Sequence, residues 1–424
     1  MPTSPAKKIK TIGSTPKKRS SPDSGRKVRL LKLKKSERAS KVLATKKTKK
    51  NNAAAPPRPN RNAILRVLRA AAARAEARRP HQLERHEGNP IIEPREKQFW
   101  EMKATFNPGA VYADKRVHLL YRAIGGDDVS VLGYASSNDG VTVIERLDEP
   151  AYIPKHTKKT VPEKDRVPTP AYLSGGGWNG GCEDPRITLL EGRVYLTYTA
   201  FDGWGSVRIA LSSINLNDFL NKRWRWKEPT LISPPGEIHK NWMLFPEKIK
   251  GKFALLHSIS PSVLVDYFDT MEELESGKRI IQSHRSMNLR RGVWDSWVRS
   301  AGPPPIKTRL GWLVFYHAHD VREPDRYKLG AMILDANNPT SVLYRSKSPV
   351  LEPDFHYEND GLKSGIVYSC GAVVKDGNLY VYYGGSDTVV CVAMTNLDTF
   401  LNELQRHGRP RLEPEKPTAR NARR

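Results

Sequence analysis

Acidic and basic side chains suited to catalysis stand beside several β-rich segments of this 424-residue chain. A carboxylic acid can protonate a leaving group, and a set of cations can hold an anionic reactant. Several such groups converging on one pocket would form an active site. The candidates are Asp184 and Arg186 in CEDPRI, Lys240, Asn241 and Lys248 in KNWMLFPEK, His317 in FYHAHD, Glu358 in HYENDG and Asp387 in YYGGSD.

The elements that must position these groups form an internal repeat. Five segments rich in Val, Leu, Tyr and Phe recur along the chain, and these residue types suit a buried, pleated sheet. Each segment follows a strand-like entry and a short polar turn, as in a hairpin, and precedes a third β-rich run. The segments are VHLLYRAI (117–124), VYLTYTAF (194–201), KFALLHSI (252–259), GWLVFYHA (311–318) and LYVYYGGS (379–386).

Five like units of antiparallel strands predict an all-β fold, namely a five-bladed β-propeller over residues 91–424. A β-sandwich could supply as many strands, but it would not explain five similar units. In a propeller the innermost strand of every blade lines the central channel, so polar groups near its start converge on the axis. The repeat therefore predicts one site assembled from all five blades.

The N-terminal part of the chain differs in composition from the rest. Residues 1–90 hold 26 Lys and Arg against 5 Asp and Glu, a net charge of +21 out of +26 for the whole chain. With little apolar surface to offset chain entropy, this part is expected to be a disordered basic tail. Residues 61–79 predict one short helix within it, which Pro80 ends. The tail could bind nucleic-acid phosphates, lie on an anionic membrane surface or have no dedicated partner.

Cysteine usage and hydropathy bear on the cellular compartment. Cys182, Cys370 and Cys391 show no CxxC spacing, and no His, Asp or Glu cluster shows the spacing of metal ligands. No apolar run approaches the roughly 20 residues of a membrane span, and no apolar segment follows the N-terminal charges as in a secretory signal. We expect a cytoplasmic protein without a metal or an organic cofactor.

Over residues 100–400 the motifs resemble those of glycoside hydrolase family 130. The resemblance rests on their order: GGCEDPRIT, VYLTYTAFDG and VRIALSS come first, then LFPEKIKGK, then GPPPI, GWLVFYH and YKLGAMILD, and finally YYGGSD. That family contains β-mannoside phosphorylases and a smaller set of β-mannosidases on five-bladed propellers. The resemblance therefore implies an enzyme that cleaves β-mannosidic bonds.

The resemblance also implies roles for individual residues. Asp184 matches the family's general acid, which passes its proton through a sugar hydroxyl to the glycosidic oxygen. Asp387 matches an acid that binds the mannose hydroxyls. The other expected substrate-binding residues are Arg122, Ser137, Asp139, Arg186 and Glu358. The expected phosphate-binding residues are Lys240, Asn241, Lys248, His317 and Tyr327.

Phosphorolysis and hydrolysis both remain open, and they make different demands on the site. Inverting cleavage needs an acid on one face of the sugar and a nucleophile on the other. A phosphate nucleophile must be held by cations, whereas water needs a second carboxylate as base, for which Glu358 and Asp320 are candidates. Ser258 stands where the family usually has an Arg phosphate ligand, and the cations that could substitute are Lys240, Arg290, Arg291 and Arg299. Phosphorolysis to mannose 1-phosphate, with inorganic phosphate as co-substrate, is favoured.

Two hypotheses without catalysis compete with these. The altered position at Ser258 is compatible with a sugar-binding propeller that has lost its chemistry. The basic tail is compatible with a nucleic-acid-associated protein whose propeller is an interaction platform. Among the tryptophans, Trp178 and Trp204 lie in glycine-rich loops near the acid and are the best candidates for stacking on a sugar.

Overall fold

The structure is a computed structural model that describes residues 82–154, 179–202, 207–283, 289–290 and 292–408. Within these ranges the chain is mostly antiparallel β-sheet, which confirms the all-β prediction. None of the helices in these ranges has the length and apolar character that crossing a membrane requires. The helix predicted at 61–79 lies outside the described residues. The α-helices described are α1 (Leu216–Leu220), α2 (Glu272–Glu275), α3 (His356–Asn359) and α4 (Leu397–His407).

The strands fall into five antiparallel units, and the first two units share one sheet. A single parallel bridge between Ser130 and Gly181 joins these two. Strand β1 (Glu84–Arg85) comes first in the chain but belongs to the last unit. The first unit is β2 (Ala104–Ala113), β3 (Arg116–Ile124), β4 (Ser130–Ser137) and β5 (Val143–Arg146), and the second is β6 (Gly181–Leu190), β7 (Arg193–Phe201), β8 (Val207–Asn215) and β9 (Thr230–Leu231).

Each of the remaining three units is a separate sheet. The third is β10 (Met243–Leu244), β11 (Phe253–Ser258) and β12 (Leu264–Phe268). The fourth is β13 (Trp297–Ala301), β14 (Ile306–Thr308), β15 (Gly311–His319), β16 (Lys328–Leu334) and β17 (Val342–Arg345). The fifth is β18 (Val367–Lys375), β19 (Asn378–Gly385) and β20 (Val389–Asn396), with β1 paired to β20.

The five predicted central strands are confirmed to within one residue at each end, as β3, β7, β11, β15 and β19. Hairpin turns explain why the pattern repeats so regularly. In four units the turn before the central strand has two residues in the left-handed region, the geometry that matches the twist of paired strands. These turns are Asp114–Lys115, Glu191–Gly192, Lys250–Gly251 and Asp376–Gly377.

Apolar side chains between neighbouring units form the core. Alternate residues of a strand point to opposite faces, and in β3 both faces are buried: Leu119 and Tyr121 face the fifth unit, while Leu120 faces the second. Five apolar clusters link the units in cyclic order. Representative members are Leu120 and Val194, Leu211 and Leu255, Phe245 and Trp312, Phe315 and Tyr383, and Tyr121 and Tyr382.

The N-terminal boundary of the β-sheet region lies earlier than predicted. Residue 90 was expected to end the tail, but Glu84 and Arg85 already pair with Met394 and Ala393 of β20. Leu83 beside them is buried in the core. The sequence did not indicate this strand for two reasons. Residues 1–90 are strongly basic overall, and a two-residue edge strand is too short to form a recognisable pattern.

Arg85 also joins β1 to α3 through an ion pair with Glu358. Its Nε donates to one carboxylate oxygen over 2.7 Å and its Nη2 to the other over 3.0 Å. Glu358 is fully buried and accepts further hydrogen bonds from the backbone N–H groups of Asp354 and Phe355 and from the Tyr383 hydroxyl. Removing the guanidinium would therefore leave a buried carboxylate without its counter-ion.

We predict that Arg85→Ala lowers the free energy of unfolding by about 2–3 kcal/mol, because breaking one half of a buried ion pair is costly while three hydrogen bonds to Glu358 persist. Denaturant unfolding measures the loss. The control is Arg309→Ala, which removes an exposed pair with Asp398 and should cost no more than about 1 kcal/mol. Equal losses in the two variants would contradict the structural role of the Arg85–Glu358 pair.

Candidate active site

Residues from the first strand of each unit, or from just before it, line a cavity of about 840 Å³. Every unit contributes a polar side chain to it from, or just before, its first strand. These five are Asn107 of β2, Asp184 of β6, Asn241 just before β10, Arg299 of β13 and Tyr368 of β18. Three of them, Asn107, Asp184 and Arg299, lie where the inner strand departs from regular pairing.

β-bulges set the position of these three residues. The register shifts between Phe106 and Gly109 in β2, and between Glu183 and Arg186 in β6. A bulge leaves residues unpaired and redirects their side chains. Asn107 and Asp184 occupy the two bulges in the left-handed conformation, with φ of 47° and 52°. Asn and Asp tolerate this region better than most residues, which explains their occurrence there. Further shifts fall around Arg299 in β13 and Cys370 in β18.

Asp184 is held in a buried polar network. Its Oδ1 accepts a hydrogen bond from Asn107 Nδ2 over 2.8 Å and lies 3.3 Å from Arg122 Nη1. Burial by itself would raise the pKa of Asp184, but Arg122, Lys240, Arg186 and the Asn107 hydrogen bond outweigh it and lower the pKa. Asp184 is therefore a carboxylate at neutral pH until a reactant changes its surroundings.

Arg122 connects Asp184 to a second carboxylate, that of Glu183. Its Nη2 lies 3.0 Å from Glu183 Oε1, and its Nε donates to Ser130 Oγ over 3.0 Å. The other oxygen of Glu183 accepts from Lys240 Nζ over 2.8 Å. Arg122 and Lys240 both line the cavity, whereas Glu183 lies behind them with 1% of its surface exposed.

Asp387 is the second acid of the cavity. It lies in the turn between β19 and β20 with φ of 51°, and its Oδ2 is 3.9 Å from Lys363 Nζ. Burial raises the pKa of Asp387 from 3.8 to about 6, against the opposing effects of Lys363 and Arg122. The two acids thus differ in proton affinity, with Asp387 holding its proton at higher pH than Asp184.

Cations and hydroxyl groups occupy another part of the cavity. The Arg299 guanidinium lies over the rings of Trp297, at 4.3 Å, and Tyr327, at 5.8 Å. Within the described ranges these ring contacts are its partners, and it forms no ion pair. Asn241 Nδ2 donates to the Tyr368 hydroxyl over 2.8 Å. A guanidinium, amide and phenols directed into one pocket suit an anion with several acceptor oxygens.

Six of the predicted site residues lie together in this cavity. The cavity residues predicted for the substrate and for the chemistry are Arg122, Asp184 and Asp387, and those predicted for phosphate are Lys240, Asn241 and Tyr327. Of the cations named as substitutes at the Ser258 position, Lys240 and Arg299 line it. Arg290 is paired with Asp295 over 2.8 Å, and Arg291 lies outside the described residues.

Arg186 and His317 support the cavity wall from behind. Arg186 donates to the backbone oxygens of Gly302, over 2.9 Å, and Asp184, over 2.7 Å. His317 stacks on Tyr368 with 3.8 Å between ring centroids, and its Nε2 accepts from the Ser369 N–H. Burial, aided by Arg186, lowers the pKa of His317 to about 3. His317 is fully buried outside the cavity lining, and both its ring nitrogens have protein partners, the Ser369 N–H and Ser300 Oγ, so its position does not support the prediction that it binds phosphate.

Ser137 and Asp139 lie away from the cavity, at the turn between β4 and β5. Ser137 Oγ donates to Asp139 Oδ1 over 2.9 Å, and the same oxygen accepts from the N–H groups of Val141 and Thr142. Their hydrogen bonds close the turn. The prediction that they bind sugar is therefore not supported by their position.

Lys248 and Glu358 also have structural partners. Lys248 pairs with Glu191 over 2.7 Å at the surface and covers the ring of Phe253. Glu358 holds Arg85, as described above. The sequence predicts both in the site because they stand near the starts of β-rich segments, but proximity to a strand in sequence does not reveal whether a side chain faces the cavity.

The structure adds residues that the sequence did not single out. Asn107, Trp297, Lys363 and Tyr368 line the cavity. One signal could have found Asn107: FNPG in the first unit corresponds to EDPR in the second, so Asn107 is the repeat equivalent of Asp184. Lys363 stands in a loop before β18, and no repeat pattern points to it. Trp178 and Trp204 lie outside the described residues.

Among the described residues, no group of three or more His, Cys, Asp and Glu side chains is arranged to hold a metal ion. The chemistry available in the cavity is that of two carboxylates with different proton affinities and several fixed cations. Proton transfer to a leaving oxygen and binding of an anionic reactant are both within its reach.

Comparison with known proteins places the chain in a family. A sequence profile described as β-1,4-mannooligosaccharide phosphorylase matches residues 78–406. The chain is 36% identical over 325 residues to a 1,2-β-oligomannan phosphorylase, and 34% identical over 327 residues to a β-1,2-mannobiose phosphorylase, both from a Thermoanaerobacter species. These alignments cover 74% of this chain and 97% and 96% of the relatives.

A solved structure of similar fold is the β-1,2-mannobiose phosphorylase from Listeria innocua in complex with β-1,2-mannobiose. It is 25% identical, with a TM-score of 0.58, and the alignment covers 77% of this chain and 99% of that one. Sequence profile, relatives and fold thus point to carbohydrate-active enzymes. The chain belongs to glycoside hydrolase family 130, as its motif order indicated.

We predict that Asp387→Asn changes how stability depends on pH. With a pKa of about 6 against 3.8 ordinarily, the native state keeps the Asp387 proton longer than the unfolded chain does, so wild-type stability falls as pH rises between these values. The Asp387→Asn variant has no carboxyl group at this position, so its stability does not fall with pH for this reason. Its unfolding free energy should gain about 2 kcal/mol relative to wild type between pH 4 and pH 7. Denaturant unfolding at several pH values measures it, and a constant difference over that range would contradict the raised pKa.

Proposed function

We propose that this protein is an inverting phosphorylase of β-mannosides, which transfers a mannosyl group to inorganic phosphate. The observation that carries the proposal is the cavity itself, where the acids Asp184 and Asp387 share one pocket with a set of cations and neutral donors. Lys240, Asn241 and Arg299 can neutralise and orient a phosphate, and the relatives named above are all phosphorylases of mannosides.

Hydrolysis is the weaker alternative because the carboxylates suggested as its base have other partners. Glu358 is bound by Arg85 outside the cavity lining. Asp320 is bound through both oxygens by Arg322, and this pairing lowers the pKa of Asp320 to about 2. A carboxylate held in this way is a poor acceptor for the proton of an attacking water.

The reaction balances without any group beyond the substrates and Asp184. A phosphate oxygen bonds to C1 of the mannosyl group while the bond from C1 to the glycosidic oxygen breaks. Asp184 supplies the proton that the leaving oxygen needs, through a sugar hydroxyl, and regains one from the hydrogen phosphate. The products are mannose 1-phosphate of inverted configuration and the shortened mannoside.

Phosphate binding would prepare Asp184 for this role. In the free protein Arg122 and Lys240 hold the pKa of Asp184 low, which disfavours the protonated acid. A bound phosphate brings negative charge beside Lys240 and offsets that influence, so it raises the proton affinity of Asp184. Proton donation is thereby tied to the presence of the nucleophile.

We further propose that the five units are the blades of a five-bladed β-propeller with the cavity on its axis. The cyclic order of the apolar clusters and the contribution of one inner strand per unit support this architecture.

A cytoplasmic location is proposed as well, supported by three buried, unpaired cysteines. The nucleic-acid hypothesis rests on the basic tail, of which residues 1–81 lie outside the described residues, and the relatives' names give it no support.

The function is tested by incubating the full-length protein with β-1,2- and β-1,4-linked mannobiose, with and without inorganic phosphate. We expect mannose 1-phosphate to form with phosphate, with the β-1,2 linkage preferred because the relatives with 36% and 34% identity are named for it. Product analysis by chromatography distinguishes the outcomes. Free mannose formed at the same rate without phosphate would identify a hydrolase, and binding without any product would identify a lapsed enzyme.

We predict that Asp184→Asn lowers kcat with mannobiose and phosphate by about 10³-fold, since loss of a general acid typically costs 10²- to 10⁴-fold. The amide keeps the size of the side chain but removes a buried negative charge beside Arg122, so the variant should be less stable, and circular dichroism at the assay temperature checks that it is folded. The matched control is Asp335→Asn, in a surface turn, which should leave kcat within about twofold. Wild-type activity in the Asp184 variant would rule out the assigned acid.

A further inference from the structure

Glu183 has a position that the proposed reaction has not yet explained. It is as deeply buried as the core leucines, with 1% of its surface exposed, yet it carries a carboxylate. Its two oxygens are shared between two cations: Oε1 lies 3.0 Å from Arg122 Nη2 and Oε2 lies 2.8 Å from Lys240 Nζ. Both cations line the cavity while Glu183 does not.

The bulge in β6 makes this arrangement possible. Consecutive residues of a regular strand point to opposite faces, so Glu183 and Asp184 would ordinarily be separated by the sheet. Because the register shifts at Glu183 and Asp184 adopts a φ of 52°, both carboxylates reach the same guanidinium of Arg122. Arg122 thus serves Asp184 from one side and Glu183 from the other.

Lys240 depends on Glu183 in a different way. A lysine side chain has four flexible bonds and no fixed donor geometry, so it needs a partner to hold its ammonium group in one place. Lys240 Nζ forms an ion pair with Glu183, and 14% of the Lys240 side chain stays exposed. Glu183 therefore holds the ammonium group in place, and the partly exposed Lys240 side chain lines the cavity.

We propose that Glu183 is a positioning residue that fixes Lys240 for phosphate binding. Glu183 is itself paired with Arg122, the residue that orients Asp184. This inference rests on the proposed phosphorolysis and adds to it a residue that links the phosphate-binding cation to the acid. Glu183 touches neither reactant. Both the charge and the length of its side chain matter, because each carboxylate oxygen pairs with a different cation.

The test is a double-mutant cycle in the full-length protein with Glu183→Asp, Lys240→Met and the two combined. Glu183→Asp keeps the charge but is one methylene too short to reach both cations. We expect the KM for phosphate to rise about tenfold, as when one charge-assisted contact is weakened, and the KM for mannobiose to stay within about twofold. In the Lys240→Met background the same substitution should change the KM for phosphate by less than about twofold.

Two further measurements keep the outcome decisive. Calorimetric titration with inorganic phosphate alone should show the same loss of affinity in Glu183→Asp and the same lack of effect in the Lys240→Met background. The control Glu191→Gln, which removes the exposed pair with Lys248, should leave both KM values unchanged. If Glu183→Asp does not fold, Glu183→Gln replaces it with the same expected split, since only one of its terminal atoms can accept a hydrogen bond.

The possible failures are distinguishable. A wild-type protein that neither binds phosphate nor forms mannose 1-phosphate would overturn the proposed function and this inference with it. An active wild type in which Glu183→Asp weakens phosphate and mannobiose equally, or weakens phosphate by the same factor with and without Lys240, would overturn the inference alone.

Discussion

Arg122 holds two buried carboxylates, Glu183 and Asp184, on one guanidinium, and the rest of the site is arranged around this contact. Removing three charged groups from water costs several kcal/mol for each ion unless they are paired and hydrogen-bonded. Here Ser130, Asn107 and Lys240 complete the pairing. The network therefore tolerates burial, and it keeps the acid and a phosphate-binding cation at fixed positions relative to each other.

Irregular strands create the conditions for that network. A regular strand directs alternate side chains to its two faces, and here both faces meet apolar clusters. The bulges at Asn107, Asp184 and Arg299 release residues from the pairing at equivalent places in different units. The scaffold is repetitive, but the side chain at each bulge differs, so a symmetric framework carries an asymmetric site.

The local surroundings of the two acids in the cavity give them different proton affinities. Asp184 has Arg122 and the Asn107 amide as partners, and its pKa is lowered despite burial. Asp387 has Lys363 at 3.9 Å, and burial raises its pKa to about 6. The same chemical group thus has two proton affinities in one cavity. The positions of these partners, rather than the identity of the acids, set the difference.

From sequence alone, the repeat determined the all-β class, the five central strands and the expectation of one shared site, because hairpin turns and strand patterns are local. The motif order determined the family. Tertiary structure decided which charged residues face the cavity and which pair elsewhere: Glu358, Lys248 and Asp139 bind partners near or far in the chain, while Lys363 and Tyr368 join the site. Local patterns place a residue on a strand or in a loop, but which end of that strand or loop meets the other units depends on how all five pack together.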